Sequence, residues 1–242
     1  QQMLLQTFPF LGMDPPVLID WLPWNHTFGG SHNVGIVLYN GGTLYIDDGR
    51  ATRREFEGTL RNLREIAPTV YFNIPAGWEM LAEALETDDY LAANFFSRVK
   101  LFFCAGAGLS QACWDHLDRV ALQRAGETIR IMTGLGMTET SPSCTFGTGA
   151  IVKAGYVGVP APGCKVKLVP VGDKLEARFH GPHVMPGYWR APHLTAEAFD
   201  EDGYYCTGDA LRFVDPDQPA LGFMFDGRIA EDFKLSSGTF VS

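Results

Sequence analysis

The sequence lacks several features that would place it in common protein classes. No apolar run approaches the roughly 20 residues that a membrane helix needs, and no basic and apolar signal sequence opens the chain. Basic residues are also in deficit, at 19 against 28 acidic ones, which argues against sequence-independent binding to nucleic acid or to an anionic membrane. Because 46% of the 242 residues are hydrophobic, we expect a soluble globular protein with a sizeable core.

Cysteine is scarce, and its spacing carries no metal-binding signature. The sequence has no Cys-x-x-Cys pair and no His near a Cys at metal-ligand spacing. A reduced, cytoplasmic protein is therefore predicted. The five cysteines are Cys104, Cys113, Cys144, Cys164 and Cys206. A Gly-x-Ser-x-Gly elbow is absent as well, which argues against a serine hydrolase.

The first 146 residues alternate between strand and helix patterns, which is typical of an α/β subdomain with a parallel sheet flanked by helices. Helices are predicted over 33–40, after a capping box formed by Thr52 and Glu55, around Trp78, and after Ser110. The predicted strands cover residues 17–22, 43–47, 69–74, 99–104 and 129–132.

Residues 147–242 differ, because Pro and Gly become frequent and helical periodicity disappears. This composition predicts a small β-rich subdomain. Its predicted strands cover residues 165–169, 175–180, 204–206 and 211–214.

Ligands of open parallel sheets bind beyond the carboxyl ends of the strands, so the loops there are the first candidates. Residues 26–33 combine aromatics, two His and paired Gly; a pocket wall and a Gly-rich turn are both open interpretations. Gly106-x-Gly108 suggests a dinucleotide site, but Gln111 occupies the third Gly position and the next strand ends without an acidic residue. A tight turn explains this loop better than a nicotinamide site.

Three polar segments could bind a nucleotide. Thr138 can donate to phosphate oxygens, and Glu139 can hold Mg²⁺. Asp209 follows a strand and can accept both hydroxyls of a ribose. Residues 225–234 mix both charge signs. Each segment taken alone could equally be a polar turn.

Four segments, taken together and in this order, resemble the adenylate-forming (ANL) superfamily of acyl-CoA synthetases, and within it the feruloyl-CoA synthases. They are LPWNHTFGG at residues 22–30, GLGMTET at 134–140, TGD at 207–209 and GRIAEDFK at 227–234. The resemblance covers essentially the whole chain. It implies an acyl-CoA synthetase-like N-terminal domain portion followed by a β-rich subdomain.

On the acyl side, the resemblance implies roles for two loops of the first half. His26 matches a catalytic position that borders the acyl pocket and the path of the incoming thiol. Gly106, Ala107 and Gly108 match the loop that lies against adenine and the aryl group. These roles are shape contacts.

On the nucleotide side, the resemblance implies that Gly134 and Gly136 belong to a nucleotide-binding loop. Thr138 matches the residue that contacts the α-phosphate, and Glu139 matches the Mg²⁺ ligand. Both are implied catalytic residues. Leu135 stands where an aromatic residue is usual in the superfamily, so stacking on adenine is not carried over.

Asp209 matches the ribose ligand, and Arg228 matches a second nucleotide contact near a hinge. Lys234 matches a polar position in the hinge segment. Ala230-Glu231 replaces the commoner Lys-Asp there, which leaves the hinge residue open between Glu231 and Asp232.

The implied reaction is ATP-dependent activation of a hydroxycinnamic acid such as ferulate, followed by transfer to coenzyme A, as in phenylpropanoid catabolism. The implied partners are the aromatic acid, ATP, Mg²⁺ and coenzyme A. The superfamily's phosphate loop ending in Lys and its C-terminal Lys domain have no counterpart in these residues. We therefore expect an incomplete central fragment that is inactive alone, with a non-catalytic nucleotide- or acyl-binding domain as the alternative.

Overall fold

The computed structural model describes residues 1–147, 151, 153–230, 233–234 and 240–241. Its contacts divide the chain into two compact units. The first comprises Gln1–Thr133 with Val152–Ala154, and the second comprises Gly134–Ile151 with Gly155–Ser242. Residues 134–146, which the sequence grouped with the first half, therefore belong to the second unit. Among the described residues, no helix combines the length and apolarity needed to cross a membrane.

The first unit contains the predicted parallel strands. Strand β1 (Val17–Asp20) pairs with β2 (Thr43–Ile46), and β3 (Val70–Asn73), β4 (Leu101–Cys104) and β5 (Ile131–Met132) form a second parallel sheet. The amide of Thr69, just before β3, donates to the carbonyl of Val17 over 3.0 Å and so sets β1 beside β3. The carboxyl ends of these strands consequently share one edge, as the α/β prediction requires.

Helices flank these strands. They are α1 (Gln2–Thr7), α2 (Phe10–Met13), α3 (Gly35–Asn40), α4 (Phe56–Glu65), α5 (Pro75–Thr87), α6 (Asp89–Phe96) and α7 (Gln111–Ala125). The Ser110 hydroxyl accepts a hydrogen bond from the Cys113 amide at the start of α7, and Gly126 ends that helix at φ +79°. Thr52 and Glu55 form their predicted hydrogen bond, but regular helix begins only at Phe56.

The core of the first unit lies between these helices and the strands. Trp78 of α5 is fully buried, and its indole N–H donates to the carbonyl of Phe103 over 3.3 Å. Tyr71 and Phe102 of the strands pack against the same ring. Asp88 adopts an extended backbone and caps α6 through the amide of Leu91, so the predicted single helical stretch is two helices.

The second unit is built on an antiparallel sheet of seven strands, which confirms the β-rich prediction. The strands are β6 (Gly134–Leu135), β7 (Thr145–Phe146), β8 (Tyr156–Pro160), β9 (Lys165–Val171), β10 (Lys174–His180), β11 (Tyr205–Phe213) and β12 (Phe223–Arg228). Their order in the sheet is β6-β7-β8-β12-β11-β10-β9.

Two details of this unit differ from the sequence prediction. The two short strands expected around Thr207-Gly208-Asp209 are one strand, β11, with an irregular register between Asp209 and Leu211. Gly208 takes φ +69°, so the turn-like sequence bends the strand without ending it. A helix that the sequence analysis missed, α8 (Pro192–Ala198), connects β10 to β11 and buries none of its residues. Strands β13 (Phe233–Lys234) and β14 (Phe240–Val241) pair separately.

Candidate functional site

The loop after β1 doubles back over its own backbone. Residues Phe28–Val34 form a π-helix that continues into α3. A Cβ on Gly29 would overlap the carbonyl oxygen of Pro23, and one on Gly30 would overlap that of Trp24. The paired glycines therefore have a packing role, because only glycine permits this close approach.

His26 lies at the exposed start of this loop. Its Nδ1 accepts a hydrogen bond from the amide of Phe28 over 3.1 Å. A ring nitrogen that accepts a hydrogen bond carries no proton, so the neutral imidazole holds its proton on Nε2. His26 can therefore present an N–H donor at the carboxyl edge of the strands, at the position that the sequence analysis selected.

A buried polar chain lies behind this loop, and sequence reasoning missed it. Asn33 donates to Oδ2 of Asp20 over 3.0 Å and contacts Nδ1 of His32 over 2.8 Å. Burial raises the pKa of the Asp20 carboxyl to about 6 and lowers the pKa of His32 to about 4. His32 stacks on Phe103 with ring centroids 4.9 Å apart. Its imidazole is therefore neutral at physiological pH and packs as part of the core.

The loop after β4 presents three small, exposed residues, Gly106, Ala107 and Gly108. Gly106 takes φ +87°, so its backbone favours glycine. Among the described residues, nothing lies within 4 Å of where a Cβ of Gly108 would stand, so packing against them does not require glycine there. Gln111 is the first residue of α7, so a third glycine of a dinucleotide fingerprint is absent from that helix start.

In the second unit, Gly134 and Gly136 close a β-hairpin. A Cβ on Gly134 would stand 2.5 Å from the carbonyl oxygen of Thr145, and one on Gly136 would overlap that of Pro142. Glycine is thus required at both positions to avoid a clash with the backbone of the hairpin. The hairpin holds Thr138 and Glu139 in a short 3₁₀ turn, with Thr138 exposed and Glu139 half-buried.

Tyr188 holds Glu139, and the sequence analysis did not select this tyrosine. Its hydroxyl donates to Oε1 of Glu139 over 2.9 Å, and the carbonyl of Glu139 accepts from the amide of Met185 over 2.8 Å. Burial raises the pKa of the Tyr188 and Tyr205 hydroxyls. Both tyrosines are therefore protonated donors in the neutral range.

Asp209 and Arg228 occupy opposite positions on β11 and β12. Arg228 Nε lies 3.3 Å from Asp209 Oδ1, and the side chain of Asp209 is 12% exposed against 52% for Arg228. The amide of Asp209 donates to the Thr207 hydroxyl, which itself donates to the carbonyl of Ala177. The Thr207 hydroxyl therefore links the backbone of Asp209 to Ala177 of the neighbouring strand β10.

Glu139, Asp209 and Arg228 all lie in the second unit. Burial and the negative charges of Glu139 and Asp209 raise the pKa of the Tyr205 hydroxyl. Lys234 lies in β13, where only the backbone is described. The two hinge candidates, Glu231 and Asp232, lie outside the described residues.

The chemistry of these residues suits a nucleotide. A carboxylate has about four lone-pair sites, so Asp209 can accept hydroxyl groups while it keeps its contact with Arg228. An oxygen ligand such as Glu139 suits a hard divalent cation. Residues 2–189 match the family described as AMP-binding enzyme. The chain belongs to the AMP-binding enzyme family.

The relatives of this AMP-binding enzyme include acid–CoA ligases. A probable 4-coumarate–CoA ligase 2 of Dictyostelium discoideum is 27% identical over 204 residues, which is 81% of this chain and 35% of that protein. Human long-chain-fatty-acid–CoA ligase 6 is 34% identical over 127 residues, which is 49% of this chain and 18% of that protein. The chain thus spans about a third or less of these two relatives.

A solved malonyl-CoA ligase, in a ternary product complex with methylmalonyl-CoA and AMP, has the same fold as this AMP-binding enzyme. The TM-score is 0.76 with 28% sequence identity, and the match covers 99% of this chain and 49% of that one. A solved anthranilate–CoA ligase in complex with anthranoyl-AMP gives a TM-score of 0.72 at 24% identity. The α/β fold with its antiparallel β-rich region is therefore that of the family.

Proposed function

We propose that this chain is the nucleotide- and acyl-binding part of an acid–CoA ligase that activates an aromatic carboxylic acid with ATP and transfers it to coenzyme A. One observation carries the proposal: Asp209, a largely buried carboxylate, faces Arg228 on a neighbouring strand of the unit that also contains Glu139. Family membership supports the nucleotide as the ligand.

In this proposal Asp209 accepts the two ribose hydroxyls of ATP and AMP. Charge-assisted hydrogen bonds to a carboxylate are about twice as strong as neutral ones. Arg228, 3.3 Å away on the neighbouring strand, pairs with the same carboxylate. Thr138, exposed on the hairpin turn, donates to the α-phosphate.

Glu139 is the proposed Mg²⁺ ligand. Its carboxylate is half-buried, and Tyr188 occupies one of its lone pairs, which leaves further ligand capacity and fixes the orientation. When bound, Mg²⁺ would neutralise negative charge on the phosphate oxygens.

The reaction overcomes the poor reactivity of a carboxylate. Attack of the acid's carboxylate oxygen on the α-phosphorus of ATP forms an acyl-adenylate and expels pyrophosphate. The thiol of coenzyme A then adds to the acyl carbon, loses its proton and expels AMP. The protein contributes placement and charge stabilisation, and one well-aimed donor is worth roughly 3–4 kcal/mol of barrier.

An aromatic acid such as ferulate is the proposed substrate. Two features support it: the resemblance of the motifs to feruloyl-CoA synthases, and the likeness to probable 4-coumarate–CoA ligases. The open position at Gly108 gives a flat ring access to the backbone of its loop. His26, with its proton on Nε2, is the proposed donor beside the acyl group and the thiol.

Calorimetry with AMP and with NAD⁺ tests the nucleotide part of the proposal. We expect the chain to bind AMP and not NAD⁺, and Asp209→Asn to weaken AMP binding. Binding of NAD⁺ in preference to AMP would overturn the proposal in favour of a nicotinamide site at Gly106-x-Gly108. Failure to bind either nucleotide would overturn it as well.

Competition with adenosine analogues tests the aromatic part. A non-hydrolysable feruloyl-adenylate analogue should bind more tightly than AMP, and more tightly than an acetyl-adenylate analogue. Equal affinity for the two acyl analogues would remove the aromatic assignment and leave the nucleotide assignment intact.

A further inference from the structure

Two cysteines and a histidine meet in the second unit, although they are distant in the sequence. The ligand atoms of Cys144, Cys164 and His183 all lie within 4.8 Å of one another. The Cys144 sulfur is 3.7 Å from Nε2 of His183, which is 39 residues away along the chain. Sequence spacing alone indicated no such grouping.

The fold brings these residues together through its strand ends. Cys144 directly precedes β7, Cys164 directly precedes β9, and His183 follows β10. The carbonyl of Cys144 accepts from the amide of Ala161, whose carbonyl accepts from the amide of Cys164. Since β7 lies near one end of the sheet order and β9 at the other, the three side chains link distant parts of the sheet.

The imidazole of His183 is placed by packing. A Cβ on Gly181 would stand 2.8 Å from both Nδ1 and Cε1 of the ring, so glycine there leaves room for it. Nδ1 is buried, and within the described residues no hydrogen-bond partner holds it. The ring nitrogen that faces the Cys144 sulfur is Nε2.

The donor set and its dimensions suit zinc. Zinc binds cysteine sulfur at about 2.3 Å and histidine nitrogen at about 2.0 Å with tetrahedral geometry, which separates a bound sulfur from a bound nitrogen by about 3.6 Å. The observed separation of 3.7 Å agrees with this value. Thiolate and imidazole ligands disfavour the hard cations that carboxylates prefer.

We propose that Cys144, Cys164 and His183 bind one zinc ion, with water in the fourth position. On binding, each thiol loses its proton to solvent, and no electron is transferred. The ion would connect the end of the hairpin that carries Thr138 and Glu139 to the start of β9 and to the segment that follows β10. This proposal does not rest on the proposed function.

Metal binding to the full chain tests the proposal. The chain is reduced, stripped with a chelator, incubated with Zn²⁺ and desalted, and its zinc content is measured by mass spectrometry. We expect one zinc per chain and an increase in melting temperature. Substitution with Co²⁺ should produce a thiolate-to-cobalt charge-transfer band in the near ultraviolet.

Variants assign the ligands. Cys164→Ser and His183→Asn, at half-buried positions, should lose both the stoichiometric zinc and the cobalt band. Cys144→Ser should lose both as well, but Cys144 is fully buried, and the variant could be unstable for that reason. If it does not fold, the other two variants provide the test. Cys206→Ser, in β11 of the same unit, is the matched control and should keep the metal.

Three results would overturn the proposal. The first is an absence of bound zinc in the reduced, folded wild-type chain. The second is retention of one zinc per chain by the Cys164→Ser/His183→Asn double variant. The third is formation of a Cys144–Cys164 disulfide in air that added Zn²⁺ does not prevent, which would identify a redox pair instead.

Discussion

The hydroxyl of Tyr188 donates a hydrogen bond to Oε1 of Glu139 over 2.9 Å, joining residues 49 positions apart in the sequence. Tyr188 is thereby a positioning residue for the carboxylate that we propose as the Mg²⁺ ligand.

Removing that hydroxyl tests the positioning role. In Tyr188→Phe the carboxylate of Glu139 loses one oriented donor, a loss of about 0.5–1.5 kcal/mol. We expect the Mg²⁺ concentration that half-saturates ATP binding to rise by roughly 2–10-fold, with AMP binding in the absence of Mg²⁺ unchanged. Tyr90→Phe, at an exposed position on α6, is the control. A lower Mg²⁺ requirement in Tyr188→Phe would show that the tyrosine competes with the cation.

Asp209→Asn tests the ribose contact. The isosteric amide keeps the volume but removes the charge that pairs with Arg228 and accepts the hydroxyls. We expect AMP binding measured by calorimetry to weaken by about 1–3 kcal/mol. Asp226→Asn is the matched control, because it removes an ion pair with Arg212 on the same two strands. Equal affinity in Asp209→Asn and wild type would contradict the assignment.

Gly108→Ala separates ligand access from folding. A Cβ at this position meets none of the described residues within 4 Å, and Gly108 has no positive φ, so the free energy of unfolding should be unchanged or higher by up to about 1 kcal/mol. We expect weaker binding of AMP or the aromatic adenylate analogue. Gly29→Ala, where the Cβ would overlap a carbonyl oxygen, should instead lower stability. Unchanged ligand binding in Gly108→Ala would remove this loop from the site.

Asp20 should make stability depend on pH. Burial raises its pKa to about 6 from the usual value of 3.8, so the folded state holds the proton more tightly than the unfolded state. Protonation of Asp20 therefore contributes to the free energy of unfolding. This contribution is fully present below pH 3.8 and is lost as pH rises through about 6, which lowers the free energy of unfolding by about 3 kcal/mol.

Urea unfolding of the wild type and Asp20→Asn at several pH values measures this contribution. The difference in unfolding free energy between the two proteins should change between about pH 4 and pH 6 and be constant above pH 7. Asp48→Asn, at an exposed position of the same unit, should show no such change. A pH-independent difference for Asp20→Asn would refute the raised pKa.

Pyrophosphate release tests whether the lysines of these 242 residues suffice for adenylation. Phosphoryl chemistry on ATP normally uses a lysine in a glycine-rich loop besides the metal. The lysines here are Lys100, Lys153, Lys165, Lys167, Lys174 and Lys234. Lys100 pairs with Asp14, and Lys167 pairs with Asp200 and Asp202, so both serve as structural cations.

With ATP, Mg²⁺ and ferulate, we therefore expect these 242 residues to release no pyrophosphate above background. A rate of about 1 s⁻¹ or faster would show that they suffice for adenylation. A preparation of Glu139→Gln made in parallel controls for contaminating ligases, since its rate should fall only if the activity belongs to this chain.

Local sequence patterns determined the parallel strands and helix α7 of the first unit. Ser110 and Gly126 bound α7 because a hydroxyl cap and a left-handed residue act on the backbone next to them. Apolar runs located the parallel strands to within one or two residues. The motifs around Glu139 and Asp209 likewise indicated the family from short segments alone.

Tertiary structure decided which side chains meet. Asp209 faces Arg228 through the register of β11 and β12, including a bend at Gly208 that the sequence indicated as a turn. Of the two histidines in the loop after β1, His26 is exposed and His32 is buried, because the π-helix rotates His32 onto Phe103.

The same reason explains the residues that sequence reasoning missed. Tyr188 reaches Glu139, and Cys164 and His183 reach Cys144, only because the antiparallel sheet brings its strand ends together. A pattern within a segment reports the conformation of that segment, whereas a contact between segments depends on strand pairing and sheet curvature, which no local spacing encodes.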